Sequence, residues 1–489
     1  MLSNHLPAYL LQIICLLIII LKTILIATCV FYWFKVKRYV TRHKSPITST
    51  NPRAIKIAFF HPYCNGGGGG ERVLWQTIHA IQIKYPAVVC VVYTCDNINL
   101  KDLLDNISRA FYIDLLPNIE LVYLNGIRYI EPKTYPRFTI LLQNLGSLLL
   151  AHEALHKFQP DIFVDTIGYA FTIPYFKVFG RAATCCYVHY PTVSTDMLEK
   201  VKSRKDSFNN DTKISTSVIL TNLKILYYRT FGYIYGFAGL RSDVTLVNSS
   251  WTKGHIDAIW GPRANAEIVY PPCDTSTFSG LHLTRQKPED RFIICSLGQF
   301  RPEKNHACQI RAFNIFLQGL DEVSSGLCEL HMIGSCRDHD DIRRVQELKL
   351  LSESLGIERR VKFHIKLPFT ELLQCLSVCD VAMHTMENEH FGISLVEMMA
   401  AGCIMIGHDS GGPKFDIICD YEGDKTGFLA KDEIGFAEKL KEVYLMNLEE
   451  RMAISSNGRK YVLDKFSIDT FEREIILKTE RLFNQSIAS

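Results

Sequence analysis

The sequence predicts two doubly wound α/β units in tandem, carried behind one N-terminal transmembrane helix. Three observations point there. From residue 55 onward, short apolar strands alternate with helical runs, the pattern of parallel sheets joined by crossover helices. The alternation breaks once, over a stretch at 271–290 rich in Pro, Ser, Thr and charge, and then restarts. A long apolar run near the start ends in aromatic residues with basic residues directly behind them.

The membrane segment comes first. Residues 6–34 carry one ionisable side chain, Lys22, and exceed the about 20 apolar residues that cross a bilayer core. The run ends in Phe31, Tyr32, Trp33 and Phe34, not in the small residues of a cleavage site. Lys35, Lys37, Arg38, Arg42 and Lys44 follow with no acid among them, so the positive-inside rule puts the remainder in the cytosol. That remainder can fold around a sizeable core: the 489 residues are 47% hydrophobic and 21% charged, which excludes a disordered or collagenous chain. Eight Lys or Arg precede the first acid, Glu71, so of a total net charge of +3 the residues from 71 onward hold −5. Nucleic acid is a poor partner for such a body. Sixteen cysteines with no CxxC pair, many inside apolar runs, read as buried reduced thiols.

The first unit opens with a strand at 55–60, a glycine-rich turn at 66–70 and a helix at 71–84. Strands follow at 88–93 and 120–124, then a long apolar helix at 137–158 stopped by Pro160, then strands at 161–165 and 182–189. Residues 217–240 are apolar on nearly every side, interrupted by Lys224 and Arg229. They form either a buried helix or one lying in the membrane interface, and 137–150 raises the same alternative. The second unit reads as strands at 292–297, 329–333, 361–364, 381–384 and 404–408, with helices at 305–317, 340–355, 370–377 and from 392. Residues 463–487 make a helical tail that either unit could hold. The expected divisions are 1–44 for the anchor and its basic flank, 54–270, a linker at 271–290, 291–462, and the tail at 463–489.

Four motifs carry chemistry. The turn after the first strand, His61 to Arg72, contains five glycines, among them Gly67 and Gly68, that let a backbone approach a ligand closely. It fits neither the dinucleotide fingerprint nor a P-loop, because Glu71 and Arg72 stand where Gly or Lys-Ser/Thr is required. A sugar-phosphate or diphosphate cradle is favoured. Glu389 and Glu397 bracket a loop-to-helix junction whose amides at Phe391, Gly392 and Ile393 suit an anion, with the carboxylates placed to hold hydroxyls. Arg301 and Lys304 follow the first strand of the second unit and face the same sheet edge, where open α/β sheets bind ligands. Finally, His152-Glu153-Ala154-Leu155-His156 matches the HExxH pattern of zinc peptidases, without the extension or the downstream acid that would supply a third ligand.

Together the two units, the Glu389/Glu397 pair and the segments at 61–75, 187–197, 247–251, 269–273, 298–306 and 388–397 resemble the retaining GT-B glycosyltransferases. Within them, the sequence is similar to the GDP-mannose-dependent α-1,2-mannosyltransferases of dolichol-linked oligosaccharide assembly. The resemblance implies that Glu389 contacts the mannose, Glu397 the ribose, and Lys304, with Arg301 in place of the usual family arginine, the diphosphate. It implies that His189 lies near the anomeric carbon. GDP-mannose and a dolichyl-diphosphate oligosaccharide would be the substrates, with no cofactor and no metal. The setting would be the cytosolic face of the endoplasmic reticulum membrane, in complex with other mannosyltransferases of that assembly. A GT-B enzyme with a different nucleotide-sugar donor is the alternative, and the HExxH peptidase a remote one.

Overall fold

The computed structural model describes residues 54–194, 197, 218–282 and 291–488. The expected anchor and its basic flank lie outside the described residues. Among those described, no helix is long and apolar enough to cross a membrane.

The first sheet comprises β1 (Lys56–Phe60), β2 (Val89–Thr94), β3 (Ile119–Tyr123), β4 (Ile162–Asp165), β5 (Ala183–Val188), β6 (Val244–Val247) and β7 (Glu267–Ile268), in the order β3-β2-β1-β4-β5-β6-β7. All its pairings are parallel. Strands buried on both faces explain why these segments read as continuous apolar runs. Helices α1 (Gly69–Lys84) and α2 (Leu100–Phe111) cover one face; α3 (Thr139–Lys157), α4 (Val218–Gly239) and α5 (Ser250–Trp260) serve the other. The second sheet has the order β10-β9-β8-β11-β12-β13. Its strands are β8 (Phe292–Leu297), β9 (Cys328–Gly334), β10 (Val361–Ile365), β11 (Val381–His384), β12 (Ile404–His408) and β13 (Gly427–Ala430). The strand order reverses between β1 and β4 in one sheet and between β8 and β11 in the other, and such points open a crevice at the carboxyl ends of the strands.

Strands β6, β7 and β13 were not among those expected from the sequence, and two further stretches take a different form from the expectation. The part of 271–290 that is described is no plain linker: α6 (Thr275–Ser279), capped by Asp274 accepting from Thr277 N, buries Phe278 in the second unit's core. The tail is two helices rather than one. Residues Leu448–Phe466 (α12) belong to the second unit, the chain breaks at Ser467, and α13 (Ile468–Ala488) returns to the first. There Phe471, Ile475, Leu482 and Phe483 enter the core beside Ile57 and Leu246, and the Phe483 ring stacks on Tyr85 at 4.4 Å. The two crossings between units run side by side, with Cys273 N donating to Phe466 O at 3.1 Å. Every described cysteine is a free thiol and most are buried.

Candidate active site between the two sheets

The nonapeptide after β11 is held from three sides. Asn388 adopts a left-handed φ of 56° and Gly392 one of 114°, which turns the chain sharply before α10 (Ile393–Ala400) begins. The following loop supports the turn: Asn388 N donates to Ser410 Oγ at 2.8 Å and Gly412 N to Glu389 O at 2.7 Å. A Cβ at Gly411 would stand 2.3 Å from that same Glu389 O, so only glycine lets the loops meet. The Phe391 ring turns away into the core against Tyr270, leaving its backbone to the crevice.

Glu389, 8% exposed, is the centre of the site. Its Oε2 is ion-paired with Lys304 Nζ and hydrogen-bonded to His384 Nε2 at 3.0 Å, and Oε1 accepts from His390 N at 3.2 Å. Burial alone would raise its pKa, but the His384 hydrogen bond and the Lys304 charge hold it well below the usual carboxylate range. Burial in turn pushes the His384 pKa down, so the carboxylate accepts from a neutral imidazole. Lys304 is fixed through its backbone, since Thr385 Oγ1 donates to the carbonyls of Lys304 and Asn305, both at 3.0 Å. The sequence reading named Glu389 and Lys304 but missed His384 and Thr385, which close β11 in front of the motif; a polar pair ending a buried strand was the available signal. Arg301 lies at the same edge, 33% exposed and 3.8 Å from Glu303, and forms no ion pair with Glu389.

Glu397, one turn inside α10, faces Arg72 of the first unit at 3.9 Å. Burial pushes its carboxyl up to about 7, against the pull of Arg72. The glycine-rich turn approaches here too: a Cβ on Gly69 would touch Ile393 Cδ1 at 3.0 Å, and one on Gly70 would lie 3.8 Å from His189 Nε2. His189 follows β5 directly; its Nε2 is buried without a hydrogen-bond partner, and burial, then His61, pushes its pKa down to about 4. The site thus holds a neutral imidazole opposite the Glu389 loop.

In the turn at 66–70, expected as a phosphate cradle, one amide already has an internal acceptor. Glu71 folds back so that its Oε2 accepts from Gly68 N at 2.8 Å, and its oxygens cover Gly66 and Gly68. Burial opposes ionisation, yet the His61 hydrogen bond and the Gly68 amide hold Glu71 below the ordinary carboxylate range. The anion at this helix start is the chain's own, which repels a phosphate from Gly68. Gly67, at φ 72° with open space around it, remains accessible.

The HExxH residues lie elsewhere, on α3. Glu153 accepts from the amides of Asn125 and Gly126 and from Lys157, His156 Nδ1 bonds to His152 O, and His152 Nδ1 bonds to Tyr175 OH at 2.6 Å. Glu153 is an anchor for the loop after β3, occupied in every direction a general base would need. The peptidase alternative is therefore set aside.

Two Rossmann-like sheets facing each other across a crevice lined by Glu389, Lys304, Glu397 and His189 define a GT-B glycosyltransferase. Solved structures share the fold. Sucrose-phosphate synthase from Thermosynechococcus elongatus is similar with a TM-score of 0.62, 16% identity and coverage of 88% of this chain and 100% of that one. Anabaena HepE in complex with UDP gives 0.60, 15%, 87% and 100%. The family model described as ALG11 mannosyltransferase N-terminus matches residues 54–260, and that described as Glycosyl transferases group 1 matches 283–461. A human protein is 46% identical over 450 residues, covering 91% of each chain, and a Caenorhabditis elegans protein 40% identical over 424, covering 85% of this chain and 89% of its own. Both are named GDP-Man:Man(3)GlcNAc(2)-PP-Dol alpha-1,2-mannosyltransferase. The chain belongs to that mannosyltransferase family.

Proposed function

We propose that the chain transfers mannose in α-1,2 linkage from GDP-mannose to the dolichyl-diphosphate-linked Man(3)GlcNAc(2) glycan, adding the fourth and fifth mannoses with retention. The observation that carries this reading is the Lys304–Glu389–His384 cluster at the second sheet's switch point, in a chain of this family. Glu389 accepts from mannose hydroxyls. Lys304, released from Glu389 by the donor, and Arg301 take the charge of the departing diphosphate with the amides at 391–393, and Glu397 accepts from the ribose. This stabilises a leaving group electrostatically and asks for no metal. The proton of the acceptor hydroxyl passes to the departing phosphate on the same face. His189, neutral at working pH, packs near the anomeric carbon. Incubation of the full chain with GDP-, UDP- and ADP-sugars tests the donor: GDP-mannose is turned over, and preferred turnover of a UDP-sugar sinks the assignment.

The acceptor's lipid stays in the bilayer, so the crevice works beside a membrane, which we place at the cytosolic face of the endoplasmic reticulum, with residues 6–34 as anchor. A surface of the first unit supports this setting. On α4 one face is core: Tyr228, Phe231 and Tyr235 pack against Trp260 and its neighbours. The other bares Leu223, Leu226, Tyr233 and Phe237, and Phe138 before α3, edge-on to Tyr227, continues it toward Leu145 and Leu149. The buried-helix alternative thus describes one face of α4, and the bared face supports the interfacial one. Tyr233 is 82% exposed, and an aromatic and leucine face of this kind inserts at the level of lipid headgroups.

A further inference from the structure

The edge of the second sheet carries polar residues where apolar ones belong. β9 and β10 pair in parallel with His331 opposite Lys362 and His364 opposite Ile333. Strand alternation puts Glu329, His331, Lys362 and His364 on one face, the face of Ile333, which α9 (Phe369–Ser377) covers through Leu372, Leu373 and Leu376. Part of this polarity is satisfied internally. Glu329 Oε2 accepts from Lys362 Nζ at 2.6 Å and from His331 Nε2 at 3.0 Å, and Glu329 Oε1 from Arg291 at 2.7 Å.

The remainder is not satisfied. An ionised carboxylate only accepts, so the single proton of a neutral His331 sits on Nε2 and its Nδ1 presents a lone pair. That Nδ1 is buried with no hydrogen-bond partner on a residue 8% exposed, and His364 Nε2 is likewise buried and unpartnered. The two rings lie 5.1 Å apart. From α9 the half-buried Cys375 completes the group: one ligand atom from each of the three residues lies within 4.8 Å of the others. We propose that His331, His364 and Cys375 bind one Zn²⁺ ion, with solvent in the fourth position.

Two imidazoles and a thiolate are the ligand set of a borderline-soft ion held tetrahedrally. With Zn–N about 2.1 Å and Zn–S about 2.3 Å, tetrahedral ligands stand about 3.4–3.6 Å apart, so closure needs at most about 1.4 Å of approach between any two ligand atoms. An imidazole with a free ring nitrogen binds a metal through its lone pair and loses no proton on doing so. The one proton released comes from the Cys375 thiol as its sulfur bonds the metal. Glu329 already occupies the outer position that orients a metal-bound histidine and strengthens it as a ligand. The site lies at edge strand β10, which β9 and β8 separate from the switch point beside β11. The ion therefore pins edge strand β10 to α9 and takes no part in mannose transfer.

The test uses the full chain in detergent, stripped with chelator and titrated with Co²⁺, then with Zn²⁺. One Co²⁺ per chain should bind with a thiolate-to-cobalt charge-transfer band that Zn²⁺ erases. Cys375→Ser should remove the band, His364→Gln should weaken Zn²⁺ binding by more than about tenfold, and Glu329→Gln by about 10–100-fold with the band retained. Zn²⁺ should raise the thermal midpoint of the parent chain but not of His364→Gln. Absence of the band, or a band and affinity unchanged in Cys375→Ser and His364→Gln, overturns the site. Mannose transfer by the stripped chain at low temperature should persist either way, so this outcome is separate from that of the donor assay.

Discussion

Lys304, His384 and Glu389 act as one unit, because each holds the other in place in a crevice largely closed to water. Glu389→Gln keeps the shape and removes the charge, and should lower turnover by about 10²–10³ with the fold kept and a thermal midpoint below the parent's, because Lys304 loses its charged partner. Glu389→Ala should also destabilise, since it leaves Lys304 without its buried partner. The depressed pKa of Glu389 gives stability that is complete above the ordinary carboxylate value of about 4.3 and lost only as pH falls through the lower folded value. Glu397 has the opposite sign. Its folded pKa of about 7 lies above its unfolded one, so the stability it confers is complete below about 4.3 and is lost as pH rises toward 7. The ionised form is the better acceptor for a ribose hydroxyl, so KM for the donor should fall as pH rises through about 7, and Glu397→Gln should flatten that profile. An unchanged profile in the variant would assign the titration to Asp165, which burial also raises to about 7. Glu389, Lys304 and Glu397 were legible because their motif is local in sequence. His384, only five residues before Glu389, was missed although a polar residue ending a buried strand was a signal; their bond forms because the intervening loop, with Asn388 at a left-handed φ, turns back on β11. The fold-back of Glu71 was legible in principle: an acid three residues after Gly68 is the spacing at which a side chain caps its own helix.

At the scale of elements, ten of the thirteen described strands were read to within a residue or two because a parallel sheet buried on both faces demands continuous apolar runs, whereas β6, β7 and β13, at two to four residues, give only short runs and were missed. Where an element packs was harder to read. The tail shows apolar positions at Phe471, Ile475, Leu482 and Phe483, but nothing local says that they fill the first unit's core after the chain has finished the second. Phe483→Ala should cost about 3–5 kcal/mol, measured by denaturant unfolding, and should unfold the first unit ahead of the second. A variant whose two units still unfold together at the parent's midpoint would mean that α13 contributes nothing to that core. The loop after β12 makes a second prediction. Gly411→Ala places a Cβ against Glu389 O at a φ of 59°, so it should shift the Glu389 loop and weaken donor binding while the remainder keeps its fold. Donor titration followed by intrinsic fluorescence would show it.

For the whole molecule, the two switch points meet across the crevice, and contacts between units hold it closed. The His390 ring stacks on Tyr190 at 4.1 Å and lies 5.4 Å from Trp251, which also stacks on Tyr190 at 5.9 Å, while Asp416 accepts from Ser250 N and Tyr270 OH. On the proposed function, the bared face of α4 orients this body on a bilayer. Replacing Leu223, Leu226, Tyr233 and Phe237 with Ser should reduce binding of a chain beginning at residue 45 to liposomes, with donor hydrolysis retained. Tyr228 and Phe231, equally aromatic in the sequence, are core and would unfold the unit instead. The most direct measurement of the central claim supplies the full chain with GDP-mannose and a phytanyl-diphosphate-linked Man(3)GlcNAc(2) acceptor and sizes the product. Successive addition of two mannoses, removable by an α-1,2-mannosidase and absent with Glu389→Gln, is the predicted result. A product formed equally well by that variant, or mannose in any other linkage, would contradict the account.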